Sequence, residues 1–462
     1  MKPCRSRPKR RLLSLWFPAS LAAIAFLVSA AAAQTGIPPT LDLRTAVQRS
    51  IDGNPITKIS ESKVKIAEWK IREAKTGTRP TVSFTQSVVG SNNPVFVFGS
   101  LLEQGRFGPS NFSIDSLNKP DSLVNFRSQV NLQLPLFDQR QTRSRVSAAS
   151  IAKRQAELAA EETRQRLRFD IVRNYFGVVL DRGMVNVSTE AMDTADANRK
   201  KTRDMVDVGM TTEADLLAAE VEFANAGQRK LESESKLVTT LAALNIAIGE
   251  KPDLVPVLAG ELTEKFFPVE DQDELIRIAL ESRPDYQRVV LGLEGSRVQI
   301  RSAKDSSLPR IDVYSNLGYS SPYVANGSSD YTVGASLTYT LFDPGRKARI
   351  AQAAEGEVLA GLEREVLGDQ IRLEVIRSLQ AFKTSDAKIR VSVKSIAQAE
   401  EALRIVEDRY RNGLTTFNEV LRAGLAVTKA KQDLLTTRYE YYISYAQILL
   451  ATGRLNDVRW FE

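Results

Sequence analysis

The chain has 462 residues, with 63 Lys and Arg against 56 Asp and Glu, a formal charge of +7, one cysteine and no histidine. Without histidine there is no His-based triad and no His-ligated metal site, and a lone cysteine cannot close a disulfide within the chain. No compact acidic cluster offers a hard-cation site or a two-carboxylate hydrolytic centre, so no catalytic, metal or cofactor-binding residue is assigned.

Residues 1–33 have the three-part layout of a secretory signal peptide. The opening MKPCRSRPKRR holds six Lys or Arg and no acid, residues 12–28 are largely apolar, and Ala30, Ala31, Ala32 and Ala33 supply the small residues of a cleavage site. An N-terminal membrane anchor is the competing reading, and the small-residue run that ends the apolar stretch favours a cleaved leader. Removal of the six leader cations leaves about +1 on the remainder, so the basic balance gives no case for a nucleic-acid partner. Cys4 leaves with the leader and precedes the apolar stretch, where it cannot serve as a lipidation site.

Two segments follow with one coarse order: short helix, strand, loop, strand, very long helix, Gly-marked turn, helix. The first spans 34–249, with strands near 80–90 and 122–137, a long helix near 139–207 and a helix at 212–248. An inter-repeat linker occupies 250–271. The second spans 272–453, with strands near 309–319 and 330–342, a long helix near 345–411 and a helix at 415–451, before a tail at 454–462. The long segments contain no proline and are dense in Ala, Glu, Arg, Leu and Lys, all strong helix formers. At 1.5 Å per residue each reaches about 100 Å, a length that persists only when packed along other helices. Residues 55–77 and 212–248 together match the length of one long helix, so a short and a medium helix can stack beside it.

The two segments are copies. LPLFDQRQTRSR (134–145) returns as YTLFDPGRKARI (339–350), DVGMTTEADLLAAE (207–220) as RNGLTTFNEVLRAG (411–424), and LAALNIAIG (241–249) as AQILLATG (446–453). Phe137 and Phe342 are 205 apart, and Gly209/Gly413 and Gly249/Gly453 are each 204 apart. Upstream, Pro55/Pro284 and Pro80/Pro309 are both 229 apart, so the first copy carries 24 extra residues between Pro80 and Phe137. The Gly-, Pro-, Asn- and Ser-rich stretch 92–121 is the candidate insertion and reads as a long loop. Its aromatics Phe96, Phe98, Phe107 and Phe112 are suited to capping a mouth, touching lipid or packing on one another.

The strands decide the class. Val124, Phe126, Val130, Leu132, Leu134 and Leu136 alternate with Asn125, Arg127, Gln129, Asn131 and Gln133, and Tyr331, Val333, Ala335, Leu337, Tyr339 and Leu341 alternate with small polar residues. Such alternation over about 9 to 14 residues is long enough to cross a bilayer at a barrel's tilt. A half-buried soluble sheet has the same period, which keeps a pore-free periplasmic coiled-coil scaffold as the rival from another class. An exported chain that crosses lipid on strands needs a closed barrel, and four strands are too few, since the smallest use about eight. Three copies supply twelve. With the helices leaving from one end of the sheet, the loops at 90–120 and 320–330 face the exterior.

The duplicated LPLFD and TLFDP phrases, the turn phrases VGMTTEADLLAAE and NGLTTFNEVLRA, and the closing glycines together resemble the TolC-like outer-membrane factor family over residues 41–453. The resemblance implies a mainly α fold with a membrane β-barrel contribution: a homotrimer whose 12-stranded β-barrel, set in outer-membrane lipid, continues into a 12-helix periplasmic α-barrel. It also implies an efflux channel served by an inner-membrane transporter and a periplasmic adaptor protein, passing small molecules; metal efflux and type I protein secretion are the alternatives in cargo. Carried over, the adaptor-docking tips are Val208, Gly209, Met210 and Thr211, and Asn412, Gly413, Leu414 and Thr415. Better-studied relatives place two aspartates after the second tip as acidic rings in the constriction, and those positions fall on Glu419 and Arg422. One acid is kept and the other is replaced by a base. The same two residues also suit an i,i+3 ion pair on a solvated helix face. Tyr439, Tyr441, Tyr442 and Tyr445 in the last helix are assigned to packing in a crowded wall.

Overall fold

The computed structural model describes residues 40–461 apart from 264, 325 and 457, so the expected leader at 1–33 lies outside the described residues. In chain order the elements are β1 (Thr40–Leu41), α1 (Leu43–Gly53), α2 (Pro55–Ala74), β2 (Thr81–Ser91), α3 (Pro94–Glu103), α4 (Ile114–Asn118), β3 (Leu123–Asp138), α5 (Gln141–Asp207) and α6 (Glu213–Ile248). There follow β4 (Val257–Leu258), α7 (Gln272–Ser282), α8 (Pro284–Asp305), β5 (Arg310–Ser321), β6 (Ser328–Thr338), α9 (Arg346–Arg411) and α10 (Phe417–Ala451).

Two rods of 67 and 66 residues, α5 and α9, are the longest elements. Upper helices α2 and α8 and lower helices α6 and α10 pack beside them. The upper and lower pieces meet end to end. Near the end of α6 the Ala247 carbonyl accepts from Ser50 Oγ (2.7 Å) and Asn54 Nδ2 (3.0 Å), while Asn54 Oδ1 caps α2 through Ile56 N (2.9 Å). In the second copy Arg283, the residue before α8, donates to the Ala451 carbonyl at the end of α10 (3.1 Å). Pro55 and Pro284 each open the upper helix, where a missing N–H costs nothing.

The four long strands form one antiparallel sheet in the order β2-β3-β5-β6, leaving β2 and β6 as free edges. Its register sorts the residues onto two faces. On one, Ser87, Arg127 and Ser320 lie in line, as do Thr85, Gln129, Gly318 and Asp330. On the other, Phe84, Val130, Leu317 and Tyr331 line up, and Val82, Phe84, Val333 and Leu337 are each about two-thirds exposed. Both β2–β3 and β5–β6 connections sit at the end of the sheet away from the helices. β3 enters α5 through Gln139 and Arg140, both at φ 59°, a left-handed pair costing roughly 1–2 kcal/mol per residue. The turn is held by Asp138, whose carboxylate accepts from Thr142 N (2.6 Å), and by Gln139 Nε2 on the Leu308 carbonyl (2.7 Å).

The core is a belt at mid-height. Ile171, Val172, Tyr175, Phe176 and Val178 of α5 meet Ile371, Val375 and Leu379 of α9 and the apolar face of α10. Tyr441, Tyr442 and Tyr445 are buried there, Tyr445 stacking on Phe267 at 4.3 Å and Tyr441 on Phe382 at 4.9 Å. Tyr439 is partly buried against the same cluster. Each such ring contributes about 1.5–3 kcal/mol by burial.

Four segments differ from the sequence expectation. The stretch at 92–121 is not a plain loop: Asn93 accepts from Val95 N and Phe96 N, Pro94 occupies the first turn, and α3 and α4 form within it. The linker at 250–271 is part of the belt: β4 pairs in parallel with β1, and Leu258, Leu262 and Phe267 are buried. Tyr175 fastens that pair, its hydroxyl donating to the Leu41 carbonyl (3.2 Å) and accepting from Gly260 N (3.0 Å). The tail packs too, through Leu455, Val458 and Phe461. The fourth strand ends at Thr338, leaving Leu341 and Phe342 exposed.

Candidate functional site at the hairpin tips

Each rod ends in the same hydrogen-bonded device. At the first tip Gly209 has φ +76°, Gly209 N donates to the Val206 carbonyl (2.9 Å) and Met210 N to the Met205 carbonyl (2.7 Å). At the second, Gly413 has φ +72°, Gly413 N donates to the Tyr410 carbonyl (3.0 Å) and Leu414 N to the Arg409 carbonyl (2.9 Å). These are Schellman closures, in which a left-handed glycine satisfies the last carbonyls of the helix. A Cβ at either glycine meets nothing within 4 Å, so backbone conformation and not space requires glycine.

The tips diverge after the glycine. In the first, Thr212 and Asp215 form a capping box at the start of α6, and Thr211 Oγ1 also donates to Asp215 (2.7 Å). These hydroxyl hydrogen bonds, led by that of Thr211, hold the Asp215 carboxyl below its ordinary range against the opposing effect of burial. In the second, Thr416 makes no side-chain cap. Phe417 instead buries itself with Ala219 of α6 and Val420, its ring 5.7 Å from Tyr410. Thr211 and Thr415 each stand one position before the capping residue. Val208, Met210 and Leu414 are about two-thirds exposed, so the free end of each hairpin presents apolar side chains among polar ones.

Glu419 lies in the first turn of α10, where a carboxylate complements the helix dipole. Arg422 donates to it from one turn on, at 3.2 Å, with side-chain exposures of 77% for Arg422 and 50% for Glu419. The pair is therefore solvated. Between the hairpins, α5, α6, α9 and α10 line a cleft of about 310 Å³. Its charged rim includes Glu222 with Arg229, and Lys431 of α10, which reaches Glu190 of α5 (2.7 Å) and Glu400 of α9 (3.9 Å). The sequence pattern did not single out Lys431, because its partners lie 241 and 31 residues away. Among the described residues no group of three or more His, Cys, Asp or Glu is placed to hold a metal ion, and no helix is long and apolar enough to cross a membrane.

Comparison with known proteins adds an independent line. The family described as outer membrane efflux protein matches residues 61–250 and 275–454. The outer membrane protein TolC of Vibrio cholerae is 23% identical over 338 residues, 71% of this chain and 76% of that protein. The outer membrane efflux protein BepC of Brucella suis is 22% identical over 333 residues, 71% and 72% of the two chains. In fold, the CmeC outer membrane channel of Campylobacter jejuni superposes with a TM-score of 0.71 at 18% identity, covering 89% of this chain and 85% of that one.

Proposed function

Because the chain belongs to the outer membrane efflux protein family and is an outer-membrane efflux channel protein, we propose that three copies close into one tunnel that carries small molecules from the periplasm to the exterior. The observation that carries this reading is that every tier ends in an unsatisfied edge. The sheet stops at β2 on one side and β6 on the other. The upper helices run in the order α2-α5-α8-α9, and the edge helices expose Ile59, Ile66 and Trp69 on α2 and Leu359, Leu362 and Val366 on α9. The lower helices run α6-α5-α10-α9, exposing Leu217, Leu231 and Val238 on α6 and Val391 on α9.

These edges are unlike one another, so the contact they favour is head-to-tail, and such contacts close into a ring when the rotation permits. A sheet with open edges is not viable in lipid, whereas twelve strands make a barrel within the known range. The apolar face then meets lipid and the polar face lines the lumen. Twelve helices continue it into the periplasm, and the hairpin tips form the far entrance. There Val208, Gly209, Met210 and Thr211, with Asn412, Gly413, Leu414 and Thr415, dock a periplasmic adaptor that couples the tunnel to an inner-membrane transporter. Glu419 and Arg422 face the constriction as mixed rings. The test is the mass of the detergent-extracted outer-membrane protein: a threefold particle is expected, and a folded, extractable monomer refutes the assembly.

A further inference from the structure

The helix inside the outer loop does not point away from the sheet. α3 lies across its polar face, at the end where β2 meets β3 and β5 meets β6. Gln104, just after α3, donates from Nε2 to Asn125 Oδ1 and to the Val124 carbonyl, both at 3.0 Å, and is only 3% exposed. Glu103 approaches Arg127 of β3 at 3.1 Å and accepts from Ser320 of β5 and Asn125 Nδ2, both at 3.3 Å. Arg127 in turn donates to Ser320 Oγ (2.9 Å) and to Asp330 of β6 (3.0 Å). One guanidinium thus joins a loop carboxylate to three strands. Above it, Phe98, Phe107 and Phe112 pack edge to face at 4.8 and 5.1 Å and hold the loop compact.

We infer that α3 is a plug that narrows the outer mouth of the tunnel from inside the barrel, latched to the wall by the Glu103–Arg127–Asp330 bridge. The inference rests on the channel reading, which makes the polar face the lumen. A helix with its side chains is about 10 Å across, and three would project into one lumen. The chemistry is that of a releasable contact. Arg127 satisfies two carboxylates in a site shared with solvent, with Glu103 45% and Asp330 41% exposed. Without the guanidinium the carboxylates face each other unneutralised, Asp330 already having one buried oxygen with no hydrogen-bond donor among the described residues. The loop side of the bridge then separates more readily than the strand ladder beneath it. The second copy has no counterpart, because its β5–β6 connection spans only 322–327.

The test uses the full chain in intact cells. Gln133 is exposed on the polar face, six residues below Arg127 and so about 20 Å deeper along the strand. Gln133→Cys places a thiol there in a chain whose one natural cysteine is Cys4, and the parent protein gives the background. A bulky, membrane-impermeant maleimide added outside should label position 133 slowly. Labelling should quicken by about tenfold or more when Arg127→Ala or Glu103→Gln removes the charge-assisted bonds of the latch. Glu103→Gln leaves the strands untouched and guards against a barrel that fails to assemble. Deletion of residues 94–118 should give the fastest rate. Equal rates in all variants overturn the plug, and slow labelling that only the deletion relieves overturns the latch. No labelling from outside even after the deletion overturns the channel reading itself.

Discussion

Arg422→Asp is the substitution that separates a constriction residue from a surface one. Locally it removes an ion pair of 3.2 Å between two solvated side chains, a loss of about 0.2–1 kcal/mol, and adds a like-charge i,i+3 contact with Glu419 of similar small size. Neither threatens a fold whose core lies in the distant belt. In the proposed trimer, however, each copy exchanges one positive charge for a negative one. The entrance shifts by about six charges, from balanced Glu and Arg rings to two acidic rings. The field of such a ring reaches about 30 Å at 0.01 M salt and about 3 Å at 1 M, so the effect belongs to low ionic strength. Single-channel recordings in planar bilayers should show a rise in cation over anion permeability and stronger block by multivalent cations, both fading at high salt. Glu419→Ala should move selectivity the other way. Unchanged selectivity and block in Arg422→Asp at low salt would mean that Glu419 and Arg422 are a pair on the outer wall, and the ring assignment falls.

Gly209→Val with Gly413→Val forces a branched residue into a left-handed conformation at both tips, a local strain of about 1–3 kcal/mol each. Efflux should drop with the outer-membrane level unchanged, and normal efflux removes the docking assignment. Gly453→Ala should lower the melting temperature more than Gly413→Ala does. Both have positive φ, but a Cβ at Gly453 also comes within 3.0 Å of Arg283 Cα and the Ser282 carbonyl. Arg283→Met strands Asp285 and Glu374 without their shared cation and should cost about 2–3 kcal/mol at neutral pH, less than a fully buried pair because Glu374 is partly exposed. That penalty is pH-dependent with a definite sign. Burial raises the Asp285 carboxyl, but Arg283 outweighs it and holds the group below its ordinary value. The stabilisation is therefore present above about pH 4 and lost as acid protonates the folded form. Melting curves of the two proteins should converge on acidification, and a constant gap contradicts the linkage.

Much of this architecture was legible because its signals are periodic and repeated. Proline-free helical runs announced rods ending at Asp207 and Arg411, and the glycines at a fixed offset marked their closures. Alternation identified the four strands, since one face of the sheet is apolar over most of its length. What escaped was short or non-local. β1 and β4 are two residues each and exist through Tyr175, which joins segments more than 80 residues apart. α3 was hidden by its own cap: Asn93-Pro94 reads equally as a turn or as the start of a helix, and the contact with β3 decides. Phe417 gave no sign that it closes the second tip, because its neighbour Ala219 sits on the other hairpin. The turn phrases located Glu419 and Arg422, yet the wall they face depends on how neighbouring copies wind around one another, which local patterning does not encode.

The belt makes each rod a lever with its fulcrum off the ends. On α5 the belt's buried hydrophobic residues run from Ile171 to Leu180, and the 27 residues from there to Asp207 make an arm of about 40 Å whose own buried residues, Asp181, Ser188, Ala195 and Thr202, are small or polar. A tilt of about 5° at the belt sweeps the tip through roughly 3.5 Å, about the diameter of a single atom's contact. That rotation asks the belt's rings to shift by only a fraction of an ångström, within the slack of ordinary side-chain motion. An entrance placed at the end of such an arm can change its bore substantially when the arm bends below the belt, while the tightly packed middle hardly repacks.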